Sequence, residues 1–540
     1  MLEGYVFVSE TDTEVLAHLL ADVRKKRPAL SPAGAVRAAL RLVTGAFGVA
    51  VVFADQPDLL IGARHGSPLL LGVGCGEYFL ASDASAIVEH TSVVEYLAER
   101  ELVVITRAGY TITSLDAADE DEAVAAEAAA EAAPLGAGAE AATSSASRGG
   151  GGAGGREPKL QRLELTLSAI EKGGFEHFMA KEIFEQPSAL RNAMRGRVLA
   201  DSGEIRLGGL AGEPMRRLCA ARRVIIAGCG TSYHSAQVGE YLIEGLARVP
   251  CDVEYASELR YRRPILRRDE DVLIAISQSG ETADTLAAVR EAKAHGVLTL
   301  GLVNAVGSSI ARETDAGCYL HVGPEIGVAS TKAFTAQVLV LAMLALAMAR
   351  EKGVLDASQV RAKVAELAQL PALVEAALEE APRVLEVARE YRFASSFLFL
   401  GRGANFPVAL EGALKLKECS YIHAEGLCAA ELKHGPLALV EKFMPVVAIC
   451  PRDDPVFDKL RANVEEVLAR GGSVLLMTQP GADAQLEARC DAVLRVPAAP
   501  EWLAPIVHAV PLQLLAYYIA VRRGCDVDRP RNLAKSVTVE

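Results

Sequence analysis

The sequence predicts an α/β protein: two tandem copies of one doubly wound parallel-sheet module, preceded by a smaller α+β segment. Three observations carry that reading. Residues 272–276 form an apolar, β-rich run of about the length of a strand buried on both faces, and a helical pattern opens at Ala283. From Val224 onward, strand-like and helix-like stretches alternate at the spacing of a parallel sheet with helices on both sides. That alternation then recurs about 174 residues later.

In chain order, residues 13–24 have helical spacing, with Asp12 or Thr13 as the expected cap, and a second helix is predicted over about 33–43. Strand-like runs follow at 48–53, 59–63, 69–72 and 78–81, and the opening stretch 4–10 also reads as strand-like. Residues 117–156 change character, being rich in Ala, Glu and Asp, then Ser, then Gly. Such a composition cannot bury enough apolar surface to offset its ordering entropy, so a flexible linker is expected, with Thr143, Ser144, Ser145 and Ser147 as candidate phosphorylation positions. From Gly173 the pattern is compact again: a helix broken near Pro187, then strands at 224–227, 272–276, 298–303 and 317–322, then a long apolar helix over 331–350. The second copy matches these with strands at 397–400, 446–449, 474–477 and 492–496 and a helix over 506–522.

At 540 residues the chain exceeds what one core can organise. A net charge of −13 argues against nucleic acid or an anionic membrane as the main partner. The dense basic run 260–268 ends in Asp269-Glu270-Asp271 and reads as a solvated face. The apolar run 333–349 is interrupted by Thr335 and Gln337, falls short of a membrane span, and is expected to be a buried helix. Ten cysteines with no C-x-x-C pair imply free thiols in a reducing compartment, with no disulfide framework or zinc site. No metal or bound cofactor is implied. No signal peptide is visible at Met1-Leu2-Glu3, and the free thiols lead to an expected cytoplasmic location.

The turn Ser277-Gln278-Ser279-Gly280-Glu281-Thr282 sits between a strand and a helix, where backbone N–H groups, hydroxyls and the positive helix end converge on one spot. An ordinary Ser/Thr cap needs one hydroxyl; this turn offers three. In the first copy Gly228-Cys229-Gly230-Thr231-Ser232 adds a second hydroxyl-rich turn, whereas the second copy has Cys450-Pro451-Arg452-Asp453 at the place matching Ser277. One anion site per chain is therefore expected, and the incomplete G-x-G excludes a dinucleotide fingerprint. In the second copy Glu411, Lys415 and Glu418 share one helix face, which reads either as a surface ion-pair ladder or as part of a proton-transfer site together with His434 in a Gly-Pro turn. The end of the chain alternates apolar and polar residues around Lys535, so it reads either as a disordered tail or as a docked one whose amine, once desolvated, forms a Schiff base with a carbonyl.

The stretches GCGTSYHS, ISQSGETADT, GPEIGVASTKAFT, LGRG, EGALKLKE, ELKHGP and NLAKSVTVE resemble the isomerizing glutamine–fructose-6-phosphate aminotransferase family, the glucosamine-6-phosphate synthases. The resemblance covers the chain except for the linker. It implies a partial glutaminase domain of the N-terminal-nucleophile type over 1–112, a linker over 113–160, sugar-isomerase (SIS) domains over 161–365 and 366–528, and an active-site tail over 529–540. It further implies fructose 6-phosphate and glutamine as substrates. Thr231, Ser277, Gln278, Ser279 and Thr282 would hold the sugar phosphate, with Val328 and Ser330 contributing nearby and Ser232 and Ala534 also binding the substrate. Lys535 would form the Schiff base, Glu418 would move the proton between C1 and C2, Lys415 would assist, and His434 would open the sugar ring from the partner subunit of a homodimer. Asp12 would be a remnant of the glutamine site.

The family's glutaminase half uses an N-terminal cysteine and an Asn-Gly pair, neither of which matches the start of this sequence, and Cys75 lies too deep to replace the former. The implied expectation is an inactive glutaminase half, with sugar isomerisation or ammonia-dependent amination retained. Ala430 also replaces the glycine that the family carries before Glu431-Leu432. A catalytically silent, sugar-phosphate-sensing regulator is the alternative; the presence of Lys535, Glu418 and His434 argues against it.

Overall fold

The computed structural model describes residues 5–9, 11–117, 156, 158–162 and 171–538, which divide into two compact units. The first unit has helices Asp12–Lys26 and Pro32–Leu40 over a four-stranded antiparallel sheet, Phe47–Phe53, Gln56–His65, Glu101–Thr106 and Gly109–Ser114 in that spatial order. Val36 and Leu40 of the second helix pack on Phe47, Ile61 and Leu102 of this sheet. Its other face meets a second sheet, Tyr78–Ala81, Leu70–Val73, Val93–Tyr96 and Gln161–Arg162, through Leu69, Leu71, Val103 and Ile105. Apolar side chains on both faces of the first sheet, Ile61 and Leu102 towards the helices and Val103 and Ile105 towards the second sheet, produce this helix–sheet–sheet layering.

Three local expectations are corrected here. Residues 5–9 form no strand, because no neighbouring strand pairs with them. Thr11, not Asp12 or Thr13, is the N-cap of the first helix, and no side chain caps it. Residues 93–96, 101–106 and 109–114 are strands that the pattern reading passed over. The proposed linker phosphorylation positions Thr143, Ser144, Ser145 and Ser147 lie outside the described residues. Arg156 is ion-paired to Glu95 and Glu101, and Lys159 donates its backbone N–H to Glu95.

The second unit contains two five-stranded parallel sheets with the same strand order. In the first, Cys251–Tyr255, Arg223–Gly228, Asp271–Ser277, Leu298–Val303 and Ala316–Tyr319 lie side by side. In the second the order is His423–Cys428, Ser396–Gly401, Val446–Ile449, Val474–Thr478 and Ala492–Arg495. Numbered along the chain, each is 2-1-3-4-5, the order that opens a crevice between strands 1 and 3 beyond their carboxyl ends. The expected duplication is thus present, with two strands, Cys251–Tyr255 and His423–Cys428, beyond those read from sequence. The connection after the fifth strand is longer than predicted: the strand expected at 317–322 is Ala316–Tyr319.

Strand Asp271–Ser277 is buried throughout, as its unbroken apolar run requires. Helix Lys332–Glu351 and helix Ala504–Arg522 are long and apolar enough to cross a membrane by length alone, but 94% and 89% of their apolar windows are buried inside the protein. Pro187 sits in the first turn of helix Gln186–Met194, directly after helix Phe178–Phe184, which is the break expected near that proline. One continuous core joins the helices of both modules.

Candidate active site

The crevice of the first module lies between the turns that follow strands Arg223–Gly228 and Asp271–Ser277. In the second of these turns the Ser277 hydroxyl lies 2.9 Å from that of Thr282 and accepts the Gly280 N–H at 3.0 Å, while Ser279 Oγ accepts the Glu281 N–H at 3.2 Å. Gly280 has φ +66°, and a Cβ there would lie 2.0 Å from Ser308 Oγ, so this turn requires glycine. The Gln278 carbonyl accepts the N–H groups of Asn304 and Ala305, fixing the turn against the next strand's end. Helix Ala283–Ala294 begins here, and its first N–H donates to the carbonyl of Val537.

That bond shows the C-terminal segment docked. Lys535 Nζ lies 2.6 Å from Glu325 Oε2 and 2.8 Å from the Gly327 carbonyl. Glu325 is buried and also accepts from Ser330 Oγ and from the N–H groups of Thr331 and Ala333, orphan donors at the start of helix Lys332–Glu351. Burial opposes ionisation of Glu325, but Lys535 and these donors outweigh it and bring its pKa down to about 2. Val328 donates its N–H to the Asp528 carbonyl, and the Asp528 carboxylate accepts the N–H groups of Phe178 and Met179. The Lys535 loop is therefore clamped between an early helix and the end of the chain.

Glu182, on that early helix, is buried and accepts the Gly327 N–H at 3.2 Å, while its Oε2 has no hydrogen-bond partner among the described residues. Burial first, and then the charge of Glu325, raise its pKa to about 8. The surroundings thus favour the neutral form of Glu182 and the ionised form of Glu325, which is paired with the Lys535 amine. Sequence reading assigned no role to Glu182 or Glu325: Glu325 stands in the recognised GPEIG stretch, and nothing local distinguishes a buried carboxylate from an exposed one.

The Glu411–Lys415–Glu418 face is not a surface ladder. Lys415 is 1% exposed, and its Nζ lies 2.5 Å from Glu418, 3.4 Å from Glu411 and 2.9 Å from Thr231 Oγ1. Burial alone would lower the pKa of Lys415; the two carboxylates prevail and hold it charged, well above the ordinary lysine range. Glu411 accepts from Thr231 at 3.0 Å and lies 2.8 Å from His234 Nδ1. The helix Asn405–Ser420 of the second module thus reaches into the first turn of the first module. Ser232 is turned inward, its hydroxyl accepting from Gln337 in the core. His434 ends a short 3₁₀ helix, Ala429–His434, on the surface, and no hydrogen bond among the described residues joins it to Lys415, Glu418 or Lys535. Ala534 is exposed beside Lys535. Asp12, in the other unit, is exposed at the start of its helix.

The SIS domain family matches residues 217–347 and 390–523, one match for each parallel sheet. The glutamine–fructose-6-phosphate aminotransferase (isomerizing) of Chlorobaculum tepidum is 49% identical over 540 residues, covering 100% of this chain and 81% of that protein. The chain belongs to the isomerizing glutamine–fructose-6-phosphate aminotransferase family. The relative of the same name from Bacteroides thetaiotaomicron is 46% identical, over 100% of this chain and 81% of that protein. Among solved structures, the C-terminal domain of the glucosamine-fructose-6-phosphate aminotransferase of Francisella tularensis is 42% identical with a TM-score of 0.63, covering 67% of this chain and 100% of that domain. A glucosamine-6-phosphate deaminase from Thermotoga maritima, 24% identical with a TM-score of 0.53 over 67% of this chain and 99% of that one, shares the fold. The two SIS matches thus coincide with the two parallel sheets, the first taking in the Ser277 turn and the second the helix that carries Lys415.

Proposed function

We propose that this chain is a glucosamine-6-phosphate synthase that takes fructose 6-phosphate at the first module's crevice. The observation that supports it most is the docked tail: Lys535 is held at Glu325 while the tail backbone bonds the helix that rises from the Ser277 turn. The phosphate is taken by the hydroxyls and N–H groups of Ser277, Gln278, Ser279 and Thr282, with Thr231, Ser232, Val328, Ser330 and Ala534 completing the surroundings. Lys535 gives up a proton, Nζ adds to the C2 carbonyl of the open-chain ketose, and water leaves to form the imine. Ammonia exchanges for Nζ, and Glu418, with Lys415 beside it, takes a proton from C1 and returns one to C2, giving the 2-amino aldose. His434 assists ring opening from the partner subunit of a homodimer; its exposed position in one chain is compatible with service to a second.

The same reading divides the chain into a glutaminase segment over 1–112, with Asp12 facing glutamine, a linker over 113–160, SIS domains over 161–365 and 366–528, and the tail. Ten cysteines without a disulfide suit a cytoplasmic setting. The test is turnover of fructose 6-phosphate to glucose 6-phosphate, and to glucosamine 6-phosphate with ammonia or glutamine, with Lys535→Ala as control. Sugar binding without turnover in both proteins would instead establish a sensing regulator.

A further inference from the structure

The helix that carries Lys415 and Glu418 ends at a strained residue. Tyr421, its C-cap, has φ +61° and ψ +16°, the left-handed conformation. Glycine reaches that conformation without a Cβ clash and is the common choice where a helix must stop. A bulky aromatic residue there is an outlier, and such outliers gather where a side chain has a task. The turn itself is enforced by its neighbours. Ser420 and Ile422 are both buried, and Ser420 Oγ donates to the Leu416 carbonyl at 2.6 Å and accepts the Ile422 N–H at 3.3 Å. The Ser420 carbonyl accepts from Arg523 at 3.1 Å. These bonds would serve a glycine equally well, since none involves the Tyr421 side chain.

What that side chain does is hold the C-terminal tail. The Tyr421 hydroxyl accepts the Arg531 N–H at 2.9 Å, and the Arg531 guanidinium lies over the same ring, 4.2 Å from its centre. Asn532 follows at φ +62°, and the Leu533 N–H returns to the Pro530 carbonyl at 3.4 Å. The clasp therefore grips the turn from which the chain runs on to Lys535. Before this turn the tail is held at Asp528 by Phe178, Met179 and Val328; after it, at Lys535 by Glu325 and Gly327. Among the described residues, Tyr421 is the one hydrogen-bond partner that residues 530–534 find outside their own turn.

We propose that Tyr421 is a positioning residue for Lys535: by clasping Arg531 at the end of the helix that bears Glu418, it fixes where the amine stands relative to that carboxylate. The inference rests on the proposed role of Lys535 as the Schiff-base lysine, and adds the device that ties it to the proton-transfer helix. Tyr421 acts through the tail and has no hydrogen bond to Lys535 itself.

The test compares Tyr421→Phe, which keeps the ring over Arg531 and removes the acceptor, with Tyr421→Gly, which removes both and suits the left-handed backbone better. Two rates are measured on the full chain. Release of residues 536–540 by a lysine-specific endoproteinase, read by mass spectrometry, reports how often Lys535 leaves Glu325 without any sugar present. Borohydride trapping at saturating fructose 6-phosphate reports the reacting amine. Loss of one hydrogen bond is expected to speed release about three- to tenfold in Tyr421→Phe and to slow trapping by a like factor, with larger changes in Tyr421→Gly. KM for fructose 6-phosphate and the urea midpoint of Tyr421→Phe are expected to stay at wild type, a split that a merely structural residue would not give. Release at the wild-type rate, faster release with trapping unchanged, or a change confined to KM would each overturn the proposal. A wild-type chain that traps no sugar would instead remove the Schiff-base reading, and the release rates would still decide whether Tyr421 anchors the tail.

Discussion

Lys535 and Glu325 stand 210 positions apart and form an ion pair of 2.6 Å whose carboxylate is wholly buried. The pair fixes the last segment of the chain on a loop of the first module and holds an amine where a ketose carbonyl is expected. In Glu325→Gln the anchor is weakened while the bonds to Thr331 and Ala333 retain an acceptor. Borohydride trapping of the fructose 6-phosphate adduct on Lys535, read by mass spectrometry, is expected to fall about 10²-fold in rate, as small displacements of a reacting group do. Trapping at the wild-type rate would detach Glu325 from the chemistry.

Lys415 neutralises two carboxylates from inside the protein. Lys415→Ala leaves buried Glu411 without its lysine, with only the Thr231 hydroxyl and His234 beside it, and is expected to destabilise the second unit by about 3–5 kcal/mol in urea unfolding. Glu418→Gln, by contrast, is expected to leave stability near wild type and to slow fructose 6-phosphate isomerisation by about 10²–10⁴-fold. Had this face been a solvated ladder, neither variant would do much.

The Glu182–Glu325 pair sets opposing pH dependences. Glu182 has its folded pKa raised to about 8, so between about 4.5 and 8 the folded state holds a proton that the unfolded state has lost, and stability falls as pH rises through that window. Glu325 has its pKa depressed to about 2, so its contribution is present above about 4.5 and is lost as pH falls toward 2. Glu182→Gln should flatten the alkaline side of a plot of unfolding free energy against pH and leave the acid side unchanged. An unaltered slope between pH 5 and 8 would show that Glu182 ionises normally.

Gly280→Ala places a Cβ against Ser308 at a positive φ. With strain of about 1–3 kcal/mol localised in the turn proposed to hold the phosphate, KM for fructose 6-phosphate is expected to rise about tenfold to a hundredfold, with a smaller effect on kcat. A change confined to kcat would move the phosphate elsewhere.

The modular architecture was legible before any coordinates. The unbroken apolar run at 272–276 and the mostly apolar one at 298–303, each placed between helical patterns, point to strands covered on both faces, and the recurrence of the pattern reports a duplicated sheet, because burial on two sides constrains the composition of such a strand. The hydroxyl-rich turn at Ser277 was equally plain, since strand, turn and helix follow one another in the sequence. The strands of the first unit at 93–96 and 101–106 were harder to see: antiparallel strands bury only alternate residues and take their partners from distant stretches.

What the sequence determined by itself was therefore whatever depends on neighbours along the chain: the periodicities, the turns, the spacing of Glu411, Lys415 and Glu418 on one helix face. Tertiary structure alone decided that this face is buried against Thr231, that Glu325 receives Lys535, that burial and Glu325 push the pKa of Glu182 up, and that His508 is buried with its Nδ1 on Asn405. Each of these is a matter of dielectric surroundings and of partners between about 100 and 210 residues away, and no local pattern encodes either.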